Sequence, residues 1–269
     1  MIISPSIVAT NEVQIANTNA PSSGVHGRSS PNVTALEDGG FVITWVSEGN
    51  GTESQDGSGS GIFGQRFDVV GNRVGEEFQI NTTTQYDQRS PEVAALPDGG
   101  FYVVWSSEGW TDFAGGIFGQ RFDQEGVPVG GEEQISAPGN IVQWDPEIVS
   151  YPDGSLFVGW IASDNDSQLR GIFGRGYTPE MTAISDEFVL DQSTASYSNL
   201  SLAAVGQEGF VAAWGIRDFR YQITSVFFSD MEGQTSDRLF ITDQSRVSAF
   251  QINGVQNVLY GTDQVFLAW

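Results

Sequence analysis

The groups in this chain that could do chemistry are carboxylates, hydroxyls and aromatic rings, because cysteine is absent and histidine occurs once, at His26. That excludes disulfides and ordinary zinc sites, and it leaves a serine triad a single possible base. Hydrolysis of a glycosidic bond needs only two suitably spaced carboxyl groups. Asp87, Asp145, Asp164 and Asp218 stand in variable loops where such a pair could form, but no motif singles one pair out. For a hard cation, the best oxygen clusters are Asp56, in Ser54-Gln55-Asp56-Gly57-Ser58-Gly59, and Asp164 with Asp166, in Ser163-Asp164-Asn165-Asp166-Ser167. They supply part of the roughly six to eight oxygens that Ca2+ takes, and no EF-hand loop is present. Ca2+ is thus the one cofactor these clusters admit, with plain acidic turns as the alternative.

A second set mixes rings with charge: Tyr86, Arg89, Trp110, Asp112, Trp144, Asp145, Tyr197, Arg217, Asp218 and Arg220. Aromatic faces beside carboxylates and arginines suit a sugar, whose C–H faces stack while its hydroxyls take hydrogen bonds. The alternative for these residues is to pack loop against loop or to plug a central tunnel.

A repeat positions them. Gly39-Gly40-Phe41-Val42-Ile43-Thr44-Trp45 returns as Gly99-Gly100-Phe101-Tyr102-Val103-Val104-Trp105, and again ahead of Trp160, Trp214 and Trp269. The five tryptophans lie 60, 55, 54 and 55 residues apart. Pro31, Pro91 and Pro146 stand fourteen residues before the first three and are expected to open short strands; Leu200 and Val255 take that place later. Third strands begin at Ile62, Ile117, Ile172 and Val226, and fourth strands follow at Glu77–Ile80, Glu133–Ile135, Glu187–Leu190 and Arg238–Ile241. Asp38-Gly39, Asp98-Gly99 and Asp153-Gly154 are hairpin signals, since glycine accepts positive φ. Four short strands per period, with no helical periodicity, predict an all-β chain and the blades of a propeller.

The expected architecture is one domain over residues 1–269, a five-bladed β-propeller of four-stranded antiparallel blades. Asn11-Glu12-Val13-Gln14-Ile15 copies the fourth strand at the N-terminus, which suggests that it closes the ring; a fragment of a longer array is the alternative. In such a ring the loops after second and fourth strands share one face. Those are the divergent loops here, so that face is the candidate binding surface. The periodic tryptophans, with Phe63, Phe118 and Phe173, are expected in the core, and Arg66 and Arg121 in a structural ion pair or a carbonyl contact rather than a ligand site.

The pattern Ser-Pro-x-Val-x-Ala-Leu-x-Asp-Gly-Gly-Phe-x-x-x-Trp, followed by Gly-Ile-Phe-Gly-Gln-Arg-Phe-Asp, spans Pro31 to Ile80 and Pro91 to Ile135. It resembles a repeat of large secreted bacterial surface proteins, which often also carry calcium-binding RTX-type nonapeptides or adhesin modules. A third copy matches loosely, at Gly171-Ile172-Phe173-Gly174, and the RTX nonapeptide itself is absent from this sequence. The resemblance implies an exported, lectin-like binding module and supplies no catalytic residues. Five-bladed propellers also host glycosidases, which keeps an enzyme in view.

Net charge is −23, with 34 acidic against 11 basic residues. Such a surface repels phosphate backbones and anionic membranes, so nucleic acid is excluded as a partner. No apolar run approaches the roughly 20 residues of a spanning helix, and no signal peptide is visible. Composition and loops together predict a protein at the cell surface or outside the cell that meets a glycan or a surface protein. A carbohydrate-active enzyme and a structural spacer are the competing expectations.

Overall fold

The computed structural model describes residues 27–49, 54–108, 115–138, 141–164, 170–194, 196–206, 209–217, 222–230, 239–241, 257–261 and 264–268. The described residues form strands, turns and loops, with no helix among them. The first blade runs β1 (Arg28–Ala35), β2 (Phe41–Ser47), β3 (Gly61–Phe67) and β4 (Arg73–Gln79). The second runs β5 (Gln88–Ala95), β6 (Phe101–Ser107), β7 (Gly116–Phe122) and β8 (Pro128–Gln134). The third is β9 (Ile141–Ser150), β10 (Leu156–Asp164), β11 (Arg170–Tyr177) and β12 (Phe188–Ser193). The fourth is β13 (Ser196–Val205), β14 (Gly209–Arg217), β15 (Gln222–Asp230) and β16 (Leu239–Ile241). Each is an antiparallel sheet in chain order, and β17 (Asn257–Gly261) with β18 (Gln264–Ala268) adds a hairpin from the fifth repeat.

The chain is an all-β propeller of four-stranded blades. Four blades are complete among the described residues; Trp269 and the expected closing strand at 11–15 lie outside them. The first strand of each blade packs against the first strand of the next, from β1 through β5, β9 and β13 to β17. These are the inner strands.

Turn chemistry sets each inner hairpin. Gly39, Gly99 and Gly154 hold φ of 82°, 88° and 89°, where a Cβ would be strained. The preceding Asp38, Asp98 and Asp153 carboxylates accept the N–H of Gly40, Gly100 and Ser155 at 2.8, 3.0 and 2.9 Å. The second Oδ of Asp38 and of Asp98 meets Arg66 and Arg121, at 3.3 and 2.5 Å. The expected ion pairs are therefore clamps that tie a turn to the third strand of its own blade.

Between blades lies the apolar core. Val42, Val46 and Ile62 of the first blade meet Val93, Phe101, Val103 and Trp105 of the second. Tyr102, Val104 and Ile117 meet Ile148, Val158 and Trp160, and Phe157, Ile161 and Ile172 meet Leu202, Phe210 and Trp214. Trp105, Trp160 and Trp214 are thus each a blade's contribution to the interface with the blade before it. Trp105, Trp160 and Trp214 are fully buried and Trp45 nearly so. Truncating such a ring to alanine costs about 3–5 kcal/mol.

Polar pins cross the same interfaces. Asn81, just after β4, accepts the Ile62 N–H at 2.7 Å and donates to Gln88 of the next blade at 3.1 Å. Ser136 repeats this, accepting the Ile117 N–H at 3.0 Å and donating to Gln143. At the third interface Asp191 accepts the Trp214 indole N–H at 3.1 Å.

Candidate functional site

Pro31, Pro91 and Pro146 do not open the inner strands; they lie inside them. Pairing of β1 with β2 jumps from Ser29↔Val46 to Asn32↔Thr44, so Ser30 and Pro31 together oppose Trp45. Ser90-Pro91 oppose Trp105 in the same way, Asp145-Pro146 oppose Trp160, and Asn199-Leu200 oppose Trp214. This is a β-bulge repeated in four blades, and it accounts for the fourteen-residue offset between proline and tryptophan. A bulge leaves one N–H out of the ladder, so a proline there forfeits no hydrogen bond. Its first residue is left-handed in every copy: Ser30 at φ 49°, Ser90 at 51°, Asp145 at 55° and Asn199 at 52°. Bulges re-aim side chains, and here they do so at the inner margin, where consecutive blades meet.

Two residues past the left-handed position stand Asn32, Glu92, Glu147 and Ser201. They are equivalent in the repeat and chemically different. Asn32 reaches the second blade: its Nδ2 donates to Glu92 Oε2 at 2.6 Å, and its Oδ1 accepts the Val93 N–H at 3.3 Å. Glu147 makes the matching reach to the fourth blade, where its carboxylate accepts the Leu202 N–H. Asp145, from the bulge of β9, joins Glu92 and Glu147 in one electrostatic cluster.

The three carboxyl groups are largely buried, and each is displaced toward its protonated form. Glu92 is pushed up to about 8, first by burial and then by the charge of Asp145, while the Asn32 hydrogen bond pulls it down. Asp145 is raised by burial. Glu147 is raised well above the usual carboxylate range by burial and by the charges of Glu92 and Asp145, against the pull of the Leu202 N–H. Like charges this close cannot all ionise, so the cluster holds protons at neutral pH. Every member of the cluster is thus biased toward keeping a proton that a neighbouring group could take. A proton donor and a charged carboxylate side by side are the equipment of acid–base catalysis.

Of the residues expected to bind ligand, Asp145 is in this cluster and Trp144 adjoins it. Trp144 packs part of its ring on the core between third and fourth blades. Tyr197 is buried in that core, in the inner-strand place that Gln88 and Gln143 take in other blades. Tyr86 lies on the loop entering β5, at φ 66°, and Arg89 is the second residue of β5. Arg89 is held between Asp87 and Glu108, at 2.6 Å from each. Trp110, Asp112, Asp218 and Arg220 lie outside the described residues, as do the side chains of Arg217 and Asp164 and all of Asp166.

Asp56 organises its own loop, one carboxylate oxygen accepting from Ser54 Oγ, Ser58 N–H and Gly59 N–H at 2.9, 3.0 and 3.1 Å. Among the described residues no group of three or more His, Cys, Asp or Glu is arranged to hold a metal ion. Glu92 and Glu147 did not stand out in the sequence. The signal that could have found them is variation at a fixed repeat position, Asn-Glu-Glu-Ser, within a nearly constant frame.

No family model matches the chain, and no curated protein matches it in sequence. Solved structures do share its fold. One is the alpha-L-arabinanase of Penicillium chrysogenum, complexed with arabinobiose, at 12% identity and TM-score 0.56, covering 81% of this chain and 67% of that one. The endo-arabinase of Bacteroides thetaiotaomicron matches at 10% identity and TM-score 0.52, with 79% and 82% covered. A family PL25 ulvan lyase matches at 8% identity and TM-score 0.56, with 78% and 56% covered, so this chain spans little more than half of it. At these identities the likeness is one of fold.

Proposed function

We propose that the chain is a carbohydrate-active enzyme whose acid–base machinery is Glu92, Asp145 and Glu147. The observation that carries this is the largely buried trio on neighbouring inner strands, where burial raises all three carboxyls and mutual charge raises Glu92 and Glu147 further. A general acid works best when its pKa lies near the working pH, which favours Glu92 as the group that protonates a leaving oxygen. Asp145, raised by burial alone, serves as the base or charge partner. Glu147 holds a hydrogen bond to a sugar hydroxyl. Sharing a fold with arabinan-cleaving enzymes and a polysaccharide lyase supports a saccharide substrate without choosing hydrolysis over elimination.

The test is a panel of polysaccharides scored both for new reducing ends and for unsaturated products. Cleavage of at least one is expected, with Glu92→Gln and Asp145→Asn each lowering kcat about 10²- to 10⁴-fold in folded protein. Turnover that survives both substitutions would overturn the reading.

The second reading, an exported glycan-binding module, is favoured by the partly exposed Trp144 next to Asp145. It expects saccharide binding without turnover, with affinity lost in Trp144→Ala and kept in Glu92→Gln.

A further inference from the structure

We propose that Asn32, on the inner strand of the first blade, is a positioning residue that fixes which oxygen of Glu92 carries the proton. The inference rests on the acid–base reading of the cluster for its catalytic meaning, though not for its geometry. Val93 N–H can be met only by the amide oxygen of Asn32, and that contact is made at 3.3 Å. The amide is thereby oriented, and its NH2 must point at Glu92, whose Oε2 it reaches at 2.6 Å. An oxygen that accepts an N–H cannot also carry the acidic proton along that direction, so Oε2 is the acceptor and the proton sits on Oε1. Oε1 is then the oxygen that delivers it.

Among the described residues, the charged groups of the neighbouring strands are engaged elsewhere or are acids, and on β1 Arg28 lies against Glu77 and Trp45. From β9, Asp145 and Glu147 face it, both carboxyls. On its own strand, Arg89 is held by Asp87 and Glu108. On β3, Arg66 is tied to Asp38, and on β7, Arg121 to Asp98. Among the described residues, the group that pulls Glu92 toward its charged form is the Asn32 amide. The equivalent residue of the third blade, Glu147, has a backbone N–H in that role. Glu92 therefore depends on a replaceable side chain for what Glu147 receives from the main chain.

The experiment follows the Glu92 carboxyl by carbon-13 NMR titration of glutamate-labelled full chain, with the Glu92→Gln spectrum assigning the signal. In Asn32→Leu the Glu92 midpoint is expected to rise by about one pH unit, the size of losing one good hydrogen bond to the charged form. Asn32→Asp keeps an acceptor for Val93 N–H but loses the donor at neutral pH, and should raise the midpoint at least as far. It also serves if the leucine variant does not fold. Where a cleaved polysaccharide is in hand, the alkaline limb of kcat should move up with the midpoint, while KM changes less than about threefold. A folded variant whose Glu92 midpoint stays put overturns the proposal. Midpoints that shift in a protein that cleaves no saccharide would instead sink the enzymatic reading and leave the positioning role standing.

Discussion

Glu92 couples the site to the stability of the whole chain. With its folded pKa raised to about 8 from a usual 4.5, the folded state keeps a proton that the unfolded state has already released across that window. Folding then binds protons, so its contribution to stability is full below about pH 4.5 and falls as pH rises toward about 8. Glu92→Gln, which removes the titration, should leave stability near pH 4 almost unchanged. At about pH 8 it should raise stability, on the order of 2 kcal/mol once the remaining solvent contact is allowed for. Urea melts at the two pH values would show it, and equal gains at both would refute the linkage. The trade is familiar at active sites, where strained or mismatched groups cost stability. Glu92 was hidden in the sequence for a physical reason: in Ser-Pro-Glu-Val nothing marks a glutamate as inward-facing, because the flanking bulge inverts the alternation by which strand faces are read.

At the scale of elements, the repeated Gly-Ile-Phe-Gly makes room for a ring from the adjacent strand. A Cβ on Gly174 would lie 2.3 Å from Cζ of Phe157, and one on Gly119 would lie 2.4 Å from the Tyr102 ring. In the first blade, Val42 stands where those rings do, and Phe78 of β4 occupies the space over Gly64 instead. Gly174→Ala should therefore cost about 1–3 kcal/mol by overpacking. Combined with Phe157→Leu, it should cost less than the sum of the two single changes. A thermal-denaturation double-mutant cycle tests this, and strict additivity would refute the packing account. The strands themselves were legible from turn signals and apolar runs, and a structural role for Arg66 and Arg121 from their place in repeated strands, though not their partners Asp38 and Asp98. Where the inner strands begin was not legible. Proline reads as a strand opener because it lacks the N–H of a ladder, yet at Pro31, Pro91 and Pro146 the bulge makes that lack harmless.

For the whole molecule, charge is the dominant unbalanced force. A chain at −23 repels itself even with ion pairs such as Arg89–Asp87 and Arg121–Asp98. Screening falls within about 10 Å at 0.1 M salt, so the melting temperature should climb by several degrees between low salt and about 0.5 M sodium chloride. A melting temperature flat or falling with salt would show that the acidity is locally compensated. The repeat period disclosed the propeller because each blade has one interface chemistry, with Trp105, Trp160 and Trp214 always turned to the blade before. The polar margin stayed hidden for the converse reason, since it is where the blades differ.

The shared bulge has a consequence for how such a ring diversifies. Its backbone is the same at Ser30, Ser90, Asp145 and Asn199, whatever side chain follows two residues on. The lining is therefore modular by sector: a carboxylate, amide or hydroxyl can be exchanged at 32, 92, 147 or 201 without reshaping the blade that presents it. Selection on such a ring, or a designer grafting onto it, works like setting a dial around an axis, moving a functional group by one blade at a time while the fold stays still.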